Sequence, residues 1–213
     1  MKLIILNAGD SFELGGFNKL LINHPKQNKN IIELYQDYFN VEKIEIVVGY
    51  RAIEIMNKYP NYHYIYNKKW QTTGSAYSLS LALDEKPCYV VPSDQILTKK
   101  SIELMNLYEN CGLIKFSENK RLTSLNVVMN NNYMQEIYKG ASKNNDPELL
   151  GVFKICNIKL LKEWKKKCII NSQGYAGQNL PLIDEIPIDG IEAEDNTFEI
   201  NTPEDYISFL RKI

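Results

Sequence analysis

The chain opens with an uninterrupted apolar run, Leu3 to Leu6, followed by a loop of small and polar residues that leads to Lys19. A short continuous apolar run is typical of a strand that is buried on both faces, as in a parallel sheet covered by helices on each side. The loop then places glycines at positions 9, 15 and 16 where the chain leaves that strand. This beginning favours an α/β fold over an all-helical or all-β one.

The first half of the chain alternates between strand and helix patterns. Strands are predicted at residues 2–7, 43–49, 63–66 and 88–92, and helices between them at 28–40, 52–59 and 74–83. Alternation at this spacing indicates a mainly parallel, doubly wound sheet with helices on both faces.

The pattern changes after residue 108. Consecutive strands are predicted at 111–116, 124–129, 133–138 and 149–155, with a hairpin turn at Asn130 to Asn132 because Asn tolerates left-handed backbone angles. A helix follows at 158–168, and Thr202 with Pro203 opens a last helix. We therefore expect one domain over residues 1–213. It is a Rossmann-like three-layer αβα sandwich whose mixed, mainly parallel sheet gains antiparallel strands in its second half.

Charge and composition restrict the partners. The 213 residues carry a formal net charge of −1, so no overall positive field attracts nucleic acid or an anionic membrane. No apolar stretch approaches the ~20 residues that a membrane-spanning helix needs. The four cysteines lie far apart, and the chain starts without a signal-peptide pattern. We expect a cytoplasmic protein that acts on small molecules. The sequence is also compatible with a homo-oligomer.

The loop after the first strand is a candidate phosphate site. Small residues let backbone N–H groups approach phosphate oxygens, and Lys19 adds a compact positive charge. The glycine spacing fits neither a Walker A loop nor a dinucleotide fingerprint. The loop alone leaves phosphate binding and a structural turn equally open.

Two further strand ends carry oxygen ligands. Asp94 follows the strand at 88–92, and Asn201 precedes the last helix. Ligands of open α/β sheets bind beyond the carboxyl ends of strands, and Mg²⁺ prefers carboxylate and amide oxygens. Each residue has a simpler alternative, since Asp94 can cap a helix near Thr98 and Asn201 can belong to the cap at Thr202.

A fourth candidate is the start of the helix at 74–83. Gly74 and Ser75 open that helix, and its first N–H groups can receive the acceptor atoms of a base or a phosphate. An ordinary Ser-capped helix explains the same residues equally well.

Taken together, these features resemble the nucleotidyltransferase superfamily, which activates sugar and alcohol phosphates with nucleoside triphosphates. The opening signature of that superfamily corresponds to Leu6-Asn7-Ala8-Gly9 through Asn18-Lys19. The stretch from Ile65 to Ala82 looks most like the bacterial choline-phosphate cytidylyltransferases. The chain is also similar to the cytidylyltransferases that use phosphoglutamine in capsule phosphoramidate synthesis. The resemblance covers nearly the whole chain.

The resemblance implies a Mg²⁺-dependent transfer of CMP from CTP to a small phosphorylated acceptor, with release of pyrophosphate. Lys19 and Asp94 would be catalytic, and Asp94 and Asn201 would bind the metal. The residues implied for the nucleotide are Leu6, Asn7, Ala8, Gly9, Asp10, Ser11, Asn67, Thr73, Gly74 and Ser75. The acceptor pocket should come from the second half of the chain, with Lys115, Arg121 and Gly151 as candidates by position.

The sequence also departs from the superfamily pattern. The usual Arg of the opening loop is absent, Asn18 replaces the Pro before the lysine, and Asn201 replaces the second metal-binding carboxylate. Two alternatives therefore stay open. One is a sugar-1-phosphate nucleotidyltransferase that uses UTP or dTTP, and the other is a nucleotide-binding protein that has lost catalysis.

Overall fold

The first strand and its parallel neighbours form one side of a nine-stranded sheet. The computed structural model describes residues 1–116, 123–142 and 145–213. Its strands are β1 Lys2–Asn7, β2 Asn23–His24, β3 Lys29–Asn30, β4 Lys43–Val48, β5 His63–Tyr66, β6 Cys88–Pro92, β7 Gln95–Ile96, β8 Asn110–Lys115, β9 Leu125–Asn130, β10 Tyr133–Lys139, β11 Glu148–Ile155, β12 Asp189–Glu192 and β13 Phe198–Glu199. Its α-helices are α1 Ile31–Tyr38, α2 Ala52–Lys58, α3 Ser75–Ala82, α4 Lys99–Met105, α5 Ile158–Ile170 and α6 Pro203–Lys212.

The order of strands in the main sheet is β5-β4-β1-β6-β11-β8-β12-β10-β9. The four strands of the first half pair in parallel. From β11 onward the pairings are antiparallel, apart from the parallel pair β8 and β12. Strand β9 also pairs with β11, where Asn126 lies opposite Glu148, so the second half of the sheet curls back on itself. The expected combination of a parallel half and antiparallel additions is confirmed.

Apolar residues are buried on both faces of the sheet. Along β1, Leu3 and Ile5 belong to one core, and Ile4 and Leu6 belong to the other. The first core includes residues of α1, α2, α4 and α6, and the second includes residues of α3 and α5. This alternation gives two helical layers around one sheet, as the continuous apolar run predicted.

The helix predicted over residues 28–40 is shorter than expected. It begins at Ile31, because Asn30 and Glu33 form a capping box that fixes the start. The residues before it pair as β3 with β2 in a small separate hairpin. The polar Asn and Lys residues of this segment gave no alternation that would predict a strand.

The second half contains a strand that the sequence pattern did not predict. Strand β12 inserts between β8 and β10, although only Ile191 of its four residues is buried. The predicted hairpin at Asn130 to Asn132 is present, and Asn131 has the left-handed φ of 53° that the turn requires. Within the described parts of the chain, every helix is too short or too polar to cross a bilayer.

Candidate functional site

A cavity of about 950 Å³ opens beyond the carboxyl ends of β1 and β6. It gathers most of the residues that the sequence singled out: Leu6, Ala8, Gly9, Asp10, Ser11, Lys19, Asn67, Thr73, Gly74, Ser75, Asp94, Gly151 and Asn201. Asn7 lines a small adjoining pocket beneath the glycine loop instead. Lys115 is not among the lining residues, and Arg121 lies outside the described residues.

The glycine loop has left-handed backbone angles and N–H groups without an acceptor among the described residues. Ser11, Gly15 and Gly16 have left-handed φ angles of 46°, 65° and 75°. A Cβ on Gly16 would lie 2.9 Å from the Tyr50 hydroxyl, so Tyr50 would have to shift, and the left-handed φ would strain any other residue there. The N–H groups of residues 9–12 have no acceptor among the described residues. Consecutive free N–H groups at a strand end form a concave site that attracts anions.

Lys19 is held in the cavity by two side chains from distant parts of the chain. Its ammonium donates to the Asn201 Oδ1 atom over 2.6 Å, and it lies 3.6 Å from the Asp94 carboxylate. Lys19 is 8% exposed, so its charge is only partly screened by water. Lys19, Asp94 and Asn201, which the sequence predicted as the catalytic and metal-binding residues, therefore lie close together.

Asn201 is fixed on both its backbone and its side chain. Its backbone N–H donates to the Asp205 carboxylate over 2.9 Å, as part of the capping box that starts α6 at Thr202. Its side-chain amide donates to the Glu199 carboxylate. The alternative that Asn201 belongs to the helix cap is correct for its backbone. Its side-chain amide oxygen lies in the cavity and faces Lys19.

Asp94 directly precedes the short strand β7, which pairs with β13. Its carbonyl accepts from the Ile200 N–H over 2.8 Å, beside the ladder of β7 with β13. Thr98 caps α4 by accepting from the Ser101 N–H, so the capping alternative for Asp94 does not apply. The pairing of β7 with β13 explains how residues 94 and 201 meet although 107 positions separate them.

The segment before α3 has a different role from the one expected for its N–H groups. The Gly74 N–H donates to the Ser172 carbonyl over 2.9 Å, and the Ala76 N–H donates to the Gly174 carbonyl over 3.1 Å. These two groups are therefore not free for a base or a phosphate. A Cβ on Gly74 would lie 2.3 Å from the Gly174 carbonyl, so close packing requires glycine here.

Asn67 is buried and connects residues of this segment through hydrogen bonds. It is fully buried, and its side-chain amide donates to the hydroxyls of Thr73 and Ser78 and accepts from the Lys69 N–H. These contacts hold the cavity wall around Thr73 in shape. The geometry gives Asn67 a supporting position behind that wall.

The opposite wall of the cavity comes from the second half of the chain. We call it the second-half wall and define it by Ser124, Leu125, Glu148, Gly151, Tyr175 and Gly177. Gly151 has a φ of 73° at the irregularity in β11 and lies against Pro92. Glu148 accepts a hydrogen bond from the Ser124 hydroxyl. A Cβ on Gly177 would lie 3.3 Å from both Leu125 and Leu149, so the Tyr175–Gly177 turn packs directly on β9 and β11.

Lys115 does not take part in this wall. Its ammonium donates to the Thr197 carbonyl over 2.7 Å and lies 5.7 Å from the centre of the Phe198 ring. Burial lowers the pKa of Lys115 from its usual value. The structure thus gives no contact between the cavity and the predicted acceptor-binding Lys115.

The residues around Asp94 have the oxygen chemistry that suits a hard divalent cation. Two carboxylates, Asp94 and Glu199, and the Asn201 amide oxygen belong to the same end of the cavity. Mg²⁺ usually takes one or two carboxylates from the protein and completes its shell with phosphates and water. No group of three or more acidic, His or Cys side chains within the described ranges is arranged to hold a metal unaided. The donor set fits a Mg²⁺ ion that shares its ligands with a bound polyphosphate.

Sequence reasoning missed Glu199 and Tyr175. A signal for Glu199 was present, since residues 199 and 201 alternate along an extended segment and therefore share a face. Tyr175 follows a helix end within a run of small residues, Gly174 to Gly177, and that run resembles any loop. Only the packing of this loop against α3 and β9 brings the tyrosine to the cavity.

Comparisons with known proteins agree with this geometry. No family model matches the chain. The chain is 28% identical to a choline-phosphate cytidylyltransferase of Haemophilus influenzae, in an alignment that covers 100% of this chain and 97% of the relative.

Two solved structures share the fold. A CTP:phosphocholine cytidylyltransferase from Streptococcus pneumoniae (LicC) superposes with a TM-score of 0.80 at 20% identity and covers 99% of this chain and 98% of its own. An inositol-1-phosphate CTP transferase from T. maritima gives a TM-score of 0.72 at 18% identity, over 96% of this chain and 90% of its own. The resemblance read from the motifs is confirmed: this chain has the fold of the nucleotidyltransferase superfamily and is related over its full length to a cytidylyltransferase.

Proposed function

We propose that this protein transfers CMP from CTP to a small phosphorylated acceptor, of the phosphoglutamine or phosphocholine kind, and releases pyrophosphate. The observation that carries the proposal is the meeting of Lys19, Asp94 and Asn201 beside a loop with free N–H groups. The relationship to a choline-phosphate cytidylyltransferase supports the choice of CTP. We further propose that the product serves cell-surface polysaccharide modification such as capsule synthesis, and that the enzyme works in the cytoplasm.

The reaction needs alignment and charge compensation more than proton transfer. An oxygen of the acceptor phosphate attacks the α-phosphorus of CTP, and the bond from that phosphorus to the bridging oxygen of pyrophosphate breaks. An ionised phosphate is already a nucleophile, so no general base is required. The protein must hold two anions together and stabilise the charge of the transition state. In our proposal the N–H groups of residues 9–12 and the Lys19 ammonium perform this task.

The charge of the cavity supports a role for a divalent cation. Among the described lining residues, Lys19 is the lysine, and the carboxylates are Asp10, Glu13, Asp94, Glu148 and Glu199. A triphosphate placed against these acids would be repelled unless cations accompany it. We propose that Asp94, Asn201 and Glu199 hold Mg²⁺. Such an ion neutralises phosphate charge as a Lewis acid.

In this proposal the two walls of the cavity bind different substrates. We assign the glycine loop and the Asn67–Ser75 side to the nucleotide, because the free N–H groups and the small residues lie there. We assign the second-half wall, which includes Gly151, to the acceptor. Arg121 stays a prediction for the acceptor, and so does Lys115, which would have to release the Thr197 carbonyl to reach the cavity.

The test is a pyrophosphate-release assay with CTP, UTP, dTTP and ATP, each with Mg²⁺ and a panel of phosphorylated acceptors. We expect turnover with CTP and loss of about 100-fold or more in kcat in Lys19→Ala and in Asp94→Ala, as for other removed transition-state contacts. Lys159→Ala is the matched control, because Lys159 lies exposed on the remote helix α5.

Three outcomes would contradict the proposal. Turnover of the Lys19 and Asp94 variants at the rate of the unaltered protein would remove the assigned catalytic centre. A preference for UTP or dTTP with sugar 1-phosphates would point to the sugar nucleotidyltransferase alternative. Binding of CTP with no pyrophosphate from any acceptor would favour a non-catalytic nucleotide-binding protein.

A further inference from the structure

Gln95 is a buried residue of the cavity whose side chain has an unsatisfied oxygen. It lines the cavity directly after Asp94 and is 2% exposed. Its side-chain oxygen Oε1 is buried, and no donor among the described residues reaches it. His24 and Asn126 also carry such a buried atom, but neither residue lines the cavity. A buried acceptor without a donor destabilises the folded state, so an unsatisfied oxygen at a cavity points to a missing ligand.

The backbone of Gln95 is fixed next to the proposed metal-binding residues. Its carbonyl accepts from the buried Tyr35 hydroxyl over 2.5 Å, and Gln95 lies directly opposite Glu199 in the pairing of β7 with β13. Directly opposite residues of an antiparallel pair project to the same face of the sheet. The side chain of Gln95 therefore shares a face with the Glu199 carboxylate, which accepts from the Asn201 amide.

The chemistry of this oxygen fits a hydrated cation. Mg²⁺ takes one or two carboxylates from a protein and keeps several waters, and each of these waters is a hydrogen-bond donor. Asn201 Oδ1 already accepts from Lys19, whereas Gln95 Oε1 has no donor among the described residues. The last torsion of a glutamine side chain is soft, so a rotation of the amide can turn its oxygen toward such a donor. The amide does this without adding negative charge to a cavity that already contains several carboxylates.

From this position we infer that Gln95 is a positioning residue for the metal, whose amide oxygen accepts a hydrogen bond from a water on Mg²⁺. The inference rests on the proposed function and extends it to a residue outside the proposed ligand set. In the metal-free protein the oxygen lacks a donor, and it gains one when the ion binds. Removing the oxygen should therefore weaken metal binding and leave the metal-free fold at least as stable.

Gln95→Met tests the first consequence, because methionine has a similar length and only a weak acceptor. Mn²⁺ is the probe ion, since it also favours octahedral oxygen sites. The EPR signal of free Mn²⁺ gives its Kd for the whole protein with a non-hydrolysable CTP analogue. We expect this Kd to rise about 10- to 100-fold in Gln95→Met, the usual effect of removing a group that orients the shell of a metal.

Two further variants control this measurement. Gln95→Glu keeps an oxygen acceptor and should bind Mn²⁺ at least as tightly as the unaltered protein. Gln135→Met makes the same change at an exposed position of β10 and should leave the Kd unchanged.

Chemical denaturation in EDTA separates the proposed role from a purely structural one. Without metal, Gln95→Met should unfold at the same denaturant concentration as the unaltered protein or at a higher one, because the substitution removes an unsatisfied buried acceptor. A lower midpoint, or a variant that does not fold, would show that the amide supports the fold and would overturn the inference.

The pyrophosphate assay distinguishes failure of the inference from failure of the proposed function. An unchanged Kd for Mn²⁺ in Gln95→Met overturns the inference, and the proposed function stands if the unaltered protein still releases pyrophosphate from CTP. Absence of Mn²⁺ binding to the unaltered protein also overturns the inference. If that protein releases no pyrophosphate with any acceptor either, the proposed function fails with it.

Discussion

Lys19 depends on contacts that come from distant parts of the chain. Its ammonium is held by Asn201, 182 positions away, and by Asp94. A neutral amide at position 201 accepts from Lys19 without adding a second full negative charge beside Asp94. The lysine therefore keeps charge to offer to a phosphate, because a second carboxylate at this distance would compensate more of it.

Tyr35 supports β7, the strand that directly follows Asp94, and the loss of its hydroxyl should be measurable. The ring is buried, and its hydroxyl donates to the Gln95 carbonyl over 2.5 Å. Burial raises the pKa of Tyr35 well above its usual value, so the hydroxyl keeps its proton. Tyr35→Phe leaves that buried carbonyl without its donor and should cost about 1–3 kcal/mol in the free energy of unfolding.

Chemical denaturation of Tyr35→Phe checks this prediction, with Tyr38→Phe as control. Tyr38 lies on the same helix, and its hydroxyl bonds to the exposed Gln27 side chain. We expect a change within about 0.5 kcal/mol for the control, as for most surface substitutions. Equal effects of the two variants would show that the hydroxyl of Tyr35 does not support β7.

Glu45 makes part of the stability dependent on pH. Burial alone would raise its pKa, but hydrogen bonds from Lys43 and Lys2 outweigh burial and lower it from 4.5. A lowered pKa in the folded state means that the contribution is present above about pH 4.5 and is lost as the pH falls through the folded value. Glu45→Gln should therefore unfold more easily at pH 7, and its stability should decline less between pH 5 and pH 3 (about the range where carboxylates titrate).

Denaturation midpoints from pH 7 to pH 3 check the role of Glu45. Glu54→Gln is the control, because Glu54 is a half-exposed acid paired with Arg51. The two variants should differ most at neutral pH and converge in acid. Parallel pH profiles for the two variants would contradict the assignment.

At the scale of elements, the start of α6 links stability to the site. Thr202 caps the helix, and the capping box also fixes the backbone of Asn201. Thr98 caps α4 with the same chemistry, and its hydroxyl bonds to Ser101 on the same helix. The two caps therefore form a matched pair, one beside the candidate site and one away from it.

We predict that Thr202→Ala and Thr98→Ala each lower the free energy of unfolding by about 1 kcal/mol, the usual cost of a lost N-cap. Only Thr202→Ala should also reduce turnover, because it loosens the residue that holds Lys19. Thermal denaturation and the pyrophosphate assay measure the two effects. Equal turnover in the two variants would mean that the cap does not position Asn201.

At the scale of the whole molecule, the cavity lies where the parallel and antiparallel parts of the sheet meet. The glycine loop follows β1, Gly151 and Glu148 belong to β11, and α6 brings Asn201 across to Asp94. A ligand that touches all of these elements should stabilise the entire fold, because it binds the folded chain and not the unfolded one.

We expect CTP with Mg²⁺ at about 100 times its Kd to add about 2.7 kcal/mol to the stability of the folded state. Differential scanning calorimetry measures the effect as a rise in Tm. ATP with Mg²⁺ should give a smaller shift, and Lys19→Met should lose most of the shift with CTP. The same rise in Tm for Lys19→Met would argue that Lys19 does not contact the nucleotide.

The sequence by itself determined the layered architecture and the glycine-loop end of the cavity. Alternating apolar runs are a local signal, and the glycine loop is continuous in sequence, so both were readable without coordinates. The tertiary structure alone decided which polar groups meet. It placed Glu199 beside Asn201, used the Gly74 N–H for the Ser172 carbonyl, took Lys115 away from the cavity and set Lys139 on Tyr175.

The physical reason is that these contacts join segments far apart in the chain. Strand pairing across β7 and β13, and the packing of the Tyr175 turn on α3, bring together side chains that share no local pattern. Periodicity reports which face of an element is buried, but it carries no information on which distant partner covers that face.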